Sequence, residues 1–342
     1  MKKLKINEFS HRFENFLHSL NFEDRIFLVF DKDVDGVSSA VITSFAFKKM
    51  GIKFSKTIPN FFPKKSSYNL KKFNAGVIVD VPMPMQESFL RKTKKKMLVI
   101  DHHPSQDIKS KNIFYINPRL LRKEIYQPTS YVAYNVFSNF VGIKEVKWVA
   151  VVGTVGDYGF EDVRDLLKGH VEKKEKIWMS KHGRAATGLN AAIAVYGPER
   201  SYVILKKCKG LDDFLKNKKI RRAHKMFSKE FWEADRKLKN TIEFYPDVNL
   251  FLSKVEPKYS RITAALASKV STSKHNCLVI LAEKQGDKYK IHGRMQGGKY
   301  DVGEILKNFG GGGHKQAGAC VIDAKKFPDF KRKLIDILRE KK

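Results

Sequence analysis

Cysteine is nearly absent. The 342 residues hold three (Cys208, Cys277, Cys320), none in a C-x-x-C pair. That leaves no disulfide framework and no thiolate zinc site, and it fits a reducing cytoplasm. Apolar runs such as 148–152 fall far short of the ~20 residues a membrane helix needs. Met1–Glu8 carries lysines with no apolar stretch behind them, so a soluble, unexported, cytoplasmic protein is expected, with no membrane partner. Acid is the scarcer charge: 36 Asp+Glu stand against 67 Lys+Arg, a net charge of +31. Such an excess favours a polyanionic partner, because neutralising phosphates releases condensed counterions. Lysine-rich surfaces also arise for thermal stability, so charge alone does not decide the partner.

What is present is enough for packed interiors. Hydrophobic residues make up 42% of the chain and aromatics 12%, which excludes wholesale disorder. The length suggests about two domains. Short β-rich runs alternate with helical stretches in the first half, the pattern of a parallel α/β sheet. Strands are expected at 25–30, 76–81 and 97–100, and a helix at 37–50. Residues 147–154 are apolar without a clear period and read as either strand or helix. After about Gly188 the chain turns lysine-rich and helical over 205–239. β signal returns at 248–253, 277–282, 289–293 and 319–323, and an amphipathic basic helix closes the chain at 327–341. The expected division is 1–195, a helical connector 196–245, and a smaller α/β domain 246–342.

Acids sit where the strands end. Asp31, Asp80 and Asp101 each fall at the C-terminal end of a strand-like run, the edge at which open parallel sheets bind ligands. Asp31-Lys32-Asp33-Val34-Asp35-Gly36 places three carboxylates at alternate positions. Helix capping explains one of them, but three repel one another unless a hard cation such as Mg²⁺ or Mn²⁺ is shared. A calcium EF-hand is excluded, since its twelfth position, which must chelate, is Ile42. Asp101-His102-His103 adds imidazoles that suit Mn²⁺ better than Ca²⁺, and Asp157 adds another carboxylate. The set resembles an oxygen-rich site for two metals acting on a phosphate. In the second half, Gly310–Gly313 followed by His314 reads as a binding loop, not a linker, with Arg294 offering a fork for phosphate.

These motifs together resemble the DHH phosphoesterase superfamily, in the branch with a C-terminal DHHA1 domain, and are similar to archaeal RecJ-like nucleases. The D-x-D-x-D-G, the Asp of VIVDVP, the DHH triplet, the Asp of VGDYG and the GGGHKQAG signature occur in order along nearly the whole chain. The resemblance implies an N-terminal parallel-sheet DHH domain and a DHHA1 domain, with the active site in the cleft between them. It implies a pair of divalent cations, Mn²⁺ preferred and Mg²⁺ the alternative, held by Asp31, Asp33, Asp35, Asp80, His102 and Asp157, with Asp80 bridging. His103 would face the scissile phosphate or the leaving oxygen, and Asp101 would orient His102 or its loop. Gly312, Gly313, His314 and Arg294 would grip the substrate. Some relatives carry a His shortly before the acidic motif; Val29 and Phe30 stand here, so the first ion's ligands are carboxylate-rich.

The activity implied is exonucleolytic release of 5′-mononucleotides from single-stranded DNA or RNA. Two alternatives share the fold: an oligoribonuclease or small-nucleotide and cyclic-dinucleotide phosphodiesterase, and a weakly catalytic subunit bound to replication or RNA-processing proteins. The +31 balance favours the polymer, and retention of every acid and both histidines disfavours the scaffold. Phe227, Phe231 and Trp232 interleave with Lys225 and Lys229, but they read better as the apolar face of a helix than as a base-stacking groove.

Overall fold

Five short apolar segments build the first sheet: β1 (Ile26–Phe30), β2 (Phe54–Pro59), β3 (Ala75–Val79), β4 (Lys96–Ile100) and β5 (Ile113–Ile116). The computed structural model describes residues 6–59, 70–170 and 174–341. The five strands are parallel in the order β2-β1-β3-β4-β5. The central strands are buried along their whole length, which is why β1 and β3 read as continuous apolar runs without alternation. β2 lies at an edge with only Ile58 fully buried, so it forms no continuous apolar run and escaped the sequence reading for that reason.

Helices cover the sheet: α1 (Ile6–Ser19), α2 (Val34–Lys49), α3 (Met83–Lys92), α4 (Thr129–Ser138) and α5 (Lys147–Gly156). After them come α6 (Arg164–Leu167), α7 (Lys181–Tyr196), α8 (Pro198–Lys207), α9 (Leu211–Lys216) and α10 (Lys218–Thr241). The ambiguous run 147–154 is therefore helical. All of Val149–Val155 is buried, so neither a period of two nor one of 3.6 shows in the sequence. Phe13, Phe16, Phe47 and Phe137 interlock between α1, α2 and α4, with ring centroids 5.0–6.4 Å apart. Each such buried ring contributes about 2–3 kcal/mol relative to exposure.

The chain divides into two compact units, Met1–His224 and Lys225–Lys342, and the division falls inside the continuous helix α10. The second unit holds a six-stranded sheet in the order β10-β11-β9-β8-β7-β6. Its elements are β6 (Glu243–Tyr245), β7 (Leu250–Val255), α11 (Ile262–Ser273), β8 (Leu278–Gln285), β9 (Lys288–Met295), α12 (Val302–Lys307), β10 (Gly312–His314), β11 (Ala317–Asp323) and α13 (Phe327–Glu340). α11 makes the crossover between the parallel pair β7 and β8, and all other pairings are antiparallel. α13 lays Phe327, Phe330, Leu334 and Leu338 into the core, the i, i+3, i+7 and i+11 stripe of an amphipathic helix. In α10, Phe227 is buried while Trp232 stays exposed under the Lys269 ammonium, 4.7 Å from its ring.

Candidate metal centre

The parallel ladder spaces the acids. Phe30 pairs with Val79 and Val79 with Ile100, so Asp31, Asp80 and Asp101 are the next residues on three adjacent strands. The ladder runs one bond further. The amide of Asp31 donates to Val79 O (3.3 Å), that of Asp80 to Ile100 O (2.9 Å) and that of Asp101 to Ile116 O (3.0 Å). Adjacent strands lie about 4.8 Å apart, so these side chains leave the sheet edge at that interval. Asp80 has φ 63°, a left-handed conformation that Asp tolerates better than most residues and that costs about 1 kcal/mol or more.

The acidic motif turns directly into α2. Asp33 caps this helix, its Oδ1 accepting from the Gly36 amide at 2.9 Å. Gly36 has no substitute, because a Cβ there would lie 2.4 Å from Asp31 O. Asp35 is buried inside α2 and reaches across to α4. Its Oδ2 accepts from the Thr129 amide (2.6 Å) and its Oδ1 from the Ser130 amide (3.0 Å). Pro128, at the N-cap of α4, offers no side-chain cap, so Asp35 satisfies those helix-end amides in its place. Capping thus occupies Asp33 and Asp35, one more than the sequence reading allowed. It does not account for Asp31, Asp80 and Asp157 converging on the same spot.

Asp80 Oδ1 accepts from Thr129 Oγ1 at 2.8 Å and lies 3.4 Å from His102 Nε2, which is 3.6 Å from Asp157 Oδ2. Asp157 sits at the C-cap of α5. The ligating atoms form three overlapping sets, each within 4.8 Å: Asp31, Asp33 and Asp80; Asp35, His102 and Asp157; Asp80, His102 and His103. Asp80 and His102 each belong to two sets, so the sets make one continuous centre. Asp101 lies fully buried with Oδ1 2.7 Å from His103 Nδ1, so its carboxylate bears on His103.

Crowding without compensation dominates the electrostatics. Burial pushes Asp35 up to about 7, against its two amide hydrogen bonds. Burial, then the neighbouring carboxylates, holds Asp80 and Asp157 well above the carboxylate range. Among the described residues no Lys or Arg pairs with Asp35, Asp80 or Asp157; the ion pairs of the last two run to His102. For His103 burial pulls downward, but the Asp101 contact and the acids beyond it raise the imidazole overall. Oxygen donors with one or two imidazoles, short of positive charge, fit Mg²⁺ or Mn²⁺.

Several positioning residues had no sequence signal strong enough to be found. Tyr126 donates to Asp157 Oδ2 at 2.8 Å and packs edge-on against His102, with centroids 5.3 Å apart. Asp162 pins the segment carrying Tyr126 by accepting from the Tyr126 amide (2.9 Å) and from Arg122 (2.9 Å). Arg119 Nε donates to His102 O at 2.8 Å. Asn117, just beyond β5, ties His103 O (2.9 Å) to Tyr115 OH (2.8 Å).

In the second unit the expected Gly–His loop is instead an edge strand. Gly312–His314 is β10, joined to β11 by a two-residue turn. Its register sets His314 opposite Ala317, and Ala317 opposite Arg294, so these three form one row across β10, β11 and β9. Residues directly opposite in antiparallel strands share a face, so Arg294 and His314 flank the small Ala317 on one side of the sheet. The adjacent row, Gly313, Gly318 and Gly293, carries no side chains. Arg294 is steadied by Ser268 Oγ (3.3 Å) and Gly293 O (2.8 Å).

Known proteins share this layout. The model of the DHH family's N-terminal domain matches residues 25–152, and that of the DHHA1 domain matches residues 247–340. RecJ of Thermus thermophilus in complex with Mn²⁺ superposes with a TM-score of 0.79 at 18% identity, over 98% of this chain and 55% of that one. An exonuclease RecJ bound to manganese gives 0.72 at 17% identity, over 96% and 94%. An A-adding tRNA nucleotidyltransferase of Aquifex aeolicus is 31% identical over 80 residues, 23% of this chain and 8% of that protein. The chain therefore spans a small part of that relative and about half of the Thermus RecJ. At such identities the solved structures speak for the fold and not for the reaction. With both domain models matched in order, the chain belongs to the DHH/DHHA1 superfamily and has the RecJ-like phosphoesterase fold.

Proposed function

We propose that this protein is a divalent-metal-dependent phosphodiesterase acting as an exonuclease on single-stranded DNA or RNA, with 5′-mononucleotides as product. One observation carries the reading: Asp31, Asp33, Asp35, Asp80, His102, His103 and Asp157 converge from four chain segments with no Lys or Arg pairing Asp35, Asp80 or Asp157 among the described residues. Asp31, Asp33 and Asp80 would hold one cation, Asp35, His102 and Asp157 the other, with Asp80 shared. Such ions polarise a phosphoryl oxygen and supply a nucleophile at neutral pH. The imidazole among carboxylates favours Mn²⁺ over Mg²⁺.

The chain's own residues do the remaining work. His103, held by Asp101 through Nδ1, keeps a proton on Nε2 to higher pH than a free imidazole and delivers it to the leaving oxygen. Tyr126 and Thr129 fix the rotamers of Asp157 and Asp80. Arg294, with Gly312, Gly313 and His314, binds a substrate phosphate at the sheet edge. The excess of positive charge supports a polymeric substrate over a dinucleotide.

End-labelled single strands of DNA and RNA, digested with Mn²⁺, Mg²⁺ or chelator, test this. Asp80→Ala and His102→Ala should abolish cleavage. His103→Ala should lower kcat by about 10²–10⁴-fold, the range of a lost proton donor. Asp101→Asn should cost about 10–100-fold. Metal-independent cleavage by the first two variants would refute the site, and preference for a two-residue over a twenty-residue strand at every salt concentration would transfer the reading to small substrates.

A further inference from the structure

Directly after Asp157 the chain exposes aromatic surface. Tyr158 is 66% exposed, Trp178 39% and Met179 75%. These are three of the ten large apolar side chains exposed among the described residues, and here they adjoin: the rings of Tyr158 and Trp178 lie 5.1 Å apart, tilted by 58°. Phe160, half-buried, backs Tyr158 at 6.4 Å. An exposed apolar patch on a chain so rich in charge calls for an explanation.

Both rings are presented by constrained backbone. Tyr158 has φ 58°, a left-handed conformation unfavourable for an aromatic residue, and is held there by its own amide on Val155 O (3.2 Å) and the Gly159 amide on Thr154 O (3.1 Å). Backbone outliers of this kind concentrate at functional sites. The turn bearing Trp178 sits tightly on the start of α7: a Cβ on Gly183 would lie 2.1 Å from Ile177 O and 2.6 Å from Trp178 Cα. Ser180 Oγ closes the turn, accepting from the Gly183 amide (3.0 Å) and donating to Ile177 O (2.6 Å). Arg184, exposed on α7, donates to Met179 O at 2.7 Å and puts a guanidinium at the rim of the patch.

We infer that Tyr158 and Trp178 form a base-stacking platform for the nucleotide whose phosphate lies at the metal centre, with Arg184 meeting a neighbouring phosphate. The inference rests on the nucleic-acid reading above and adds to it a base-recognition subsite in the first unit. Sequence adjacency to Asp157 ties the patch to the chemistry. A rigid, solvent-facing ring pair suits any base, because every base has a π-face. The cation at its edge matches a strand of alternating rings and phosphates.

The test uses the full chain with Mn²⁺ and two twenty-residue DNA strands, one with all its bases and one abasic at the two terminal positions of each end. Wild type should show a KM about tenfold or more lower for the strand with bases, within the range of one lost stacking contact. Tyr158→Leu and Trp178→Leu should remove that difference, and Tyr158→Phe and Trp178→Phe should restore most of it. Binding of the intact strand should quench Trp178 fluorescence more than binding of the abasic one. A base-dependent KM ratio that survives in both leucine variants, with cleavage intact, overturns the platform alone. Loss of a wild-type dimer in those variants at unchanged KM ratio does the same and makes the patch a self-association surface. Failure of wild type to bind or cut either strand overturns the nucleic-acid reading along with the platform.

Discussion

Asp35 and Asp80 pull stability and chemistry in opposite directions. Burial raises Asp35 to about 7, above an unfolded value of about 3.9, so its contribution to stability is full below about pH 4 and is lost as pH rises to about 7. Asp80 and Asp157 shift in the same direction. The chelator-treated protein should therefore melt at lower temperature at pH 8 than at pH 5, and Mn²⁺ should raise Tm more at pH 8. Differential scanning calorimetry across that range checks the sign. Asp80→Asn relieves the repulsion and keeps an acceptor for Thr129 Oγ1. It should raise the metal-free Tm at pH 8 by about 2–4 °C for each kcal/mol of repulsion relieved in a unit of this size, and abolish most of the Mn²⁺-induced rise. Asp31, Asp80 and Asp101 were legible in sequence because each follows an apolar strand at once. Tyr126 and Thr129 were not, since their partners lie 31 and 49 residues away and nothing local marks the contact.

At the level of elements, the loop from β1 into α2 is the least forgiving piece. Gly36→Ala would push a methyl into Asp31 O, cost about 2–3 kcal/mol by overpacking, and displace Asp31 and Asp33 together. Denaturant titration and the Mn²⁺-induced Tm shift should both fall for this variant; an unchanged cation response would show that the loop can relax without moving its carboxylates. β1, β3 and β4 were readable because burial on both faces makes them unbroken apolar runs. α5 is buried just as completely, and there the same property hid its period. β10 was misread for a different reason: a run of glycines carries no alternation, and only its pairing with Ala317–Ala319 makes it a strand.

For the molecule as a whole, charge sets the conditions under which the proposed substrate binds. With +31 and about five phosphates engaged on a single strand, affinity should fall about a hundredfold between 50 and 200 mM salt. Fluorescence anisotropy over that range measures the slope, and a flat response would mean that the lysines are surface solvation only. Composition made a polyanion legible, but it could not say which of the 67 cations face it. The order of the motifs revealed two sheets joined through helix, while the division at His224 falls within an unbroken α10 that composition alone does not mark.

The rung Phe30–Val79–Ile100 has a consequence for how such a chain can vary in length. Each carboxylate is the residue immediately beyond its strand, so one extra residue inserted between Val79 and Asp80 would send that oxygen pair to the opposite face. An insertion past Asp80 changes only the loop into α3, whereas Asp31 and Asp101 are followed at once by Asp33, Asp35, His102 and His103 of the same centre. Of the three acids, growth is thus permitted downstream of Asp80 and forbidden on either side of Asp31 and Asp101.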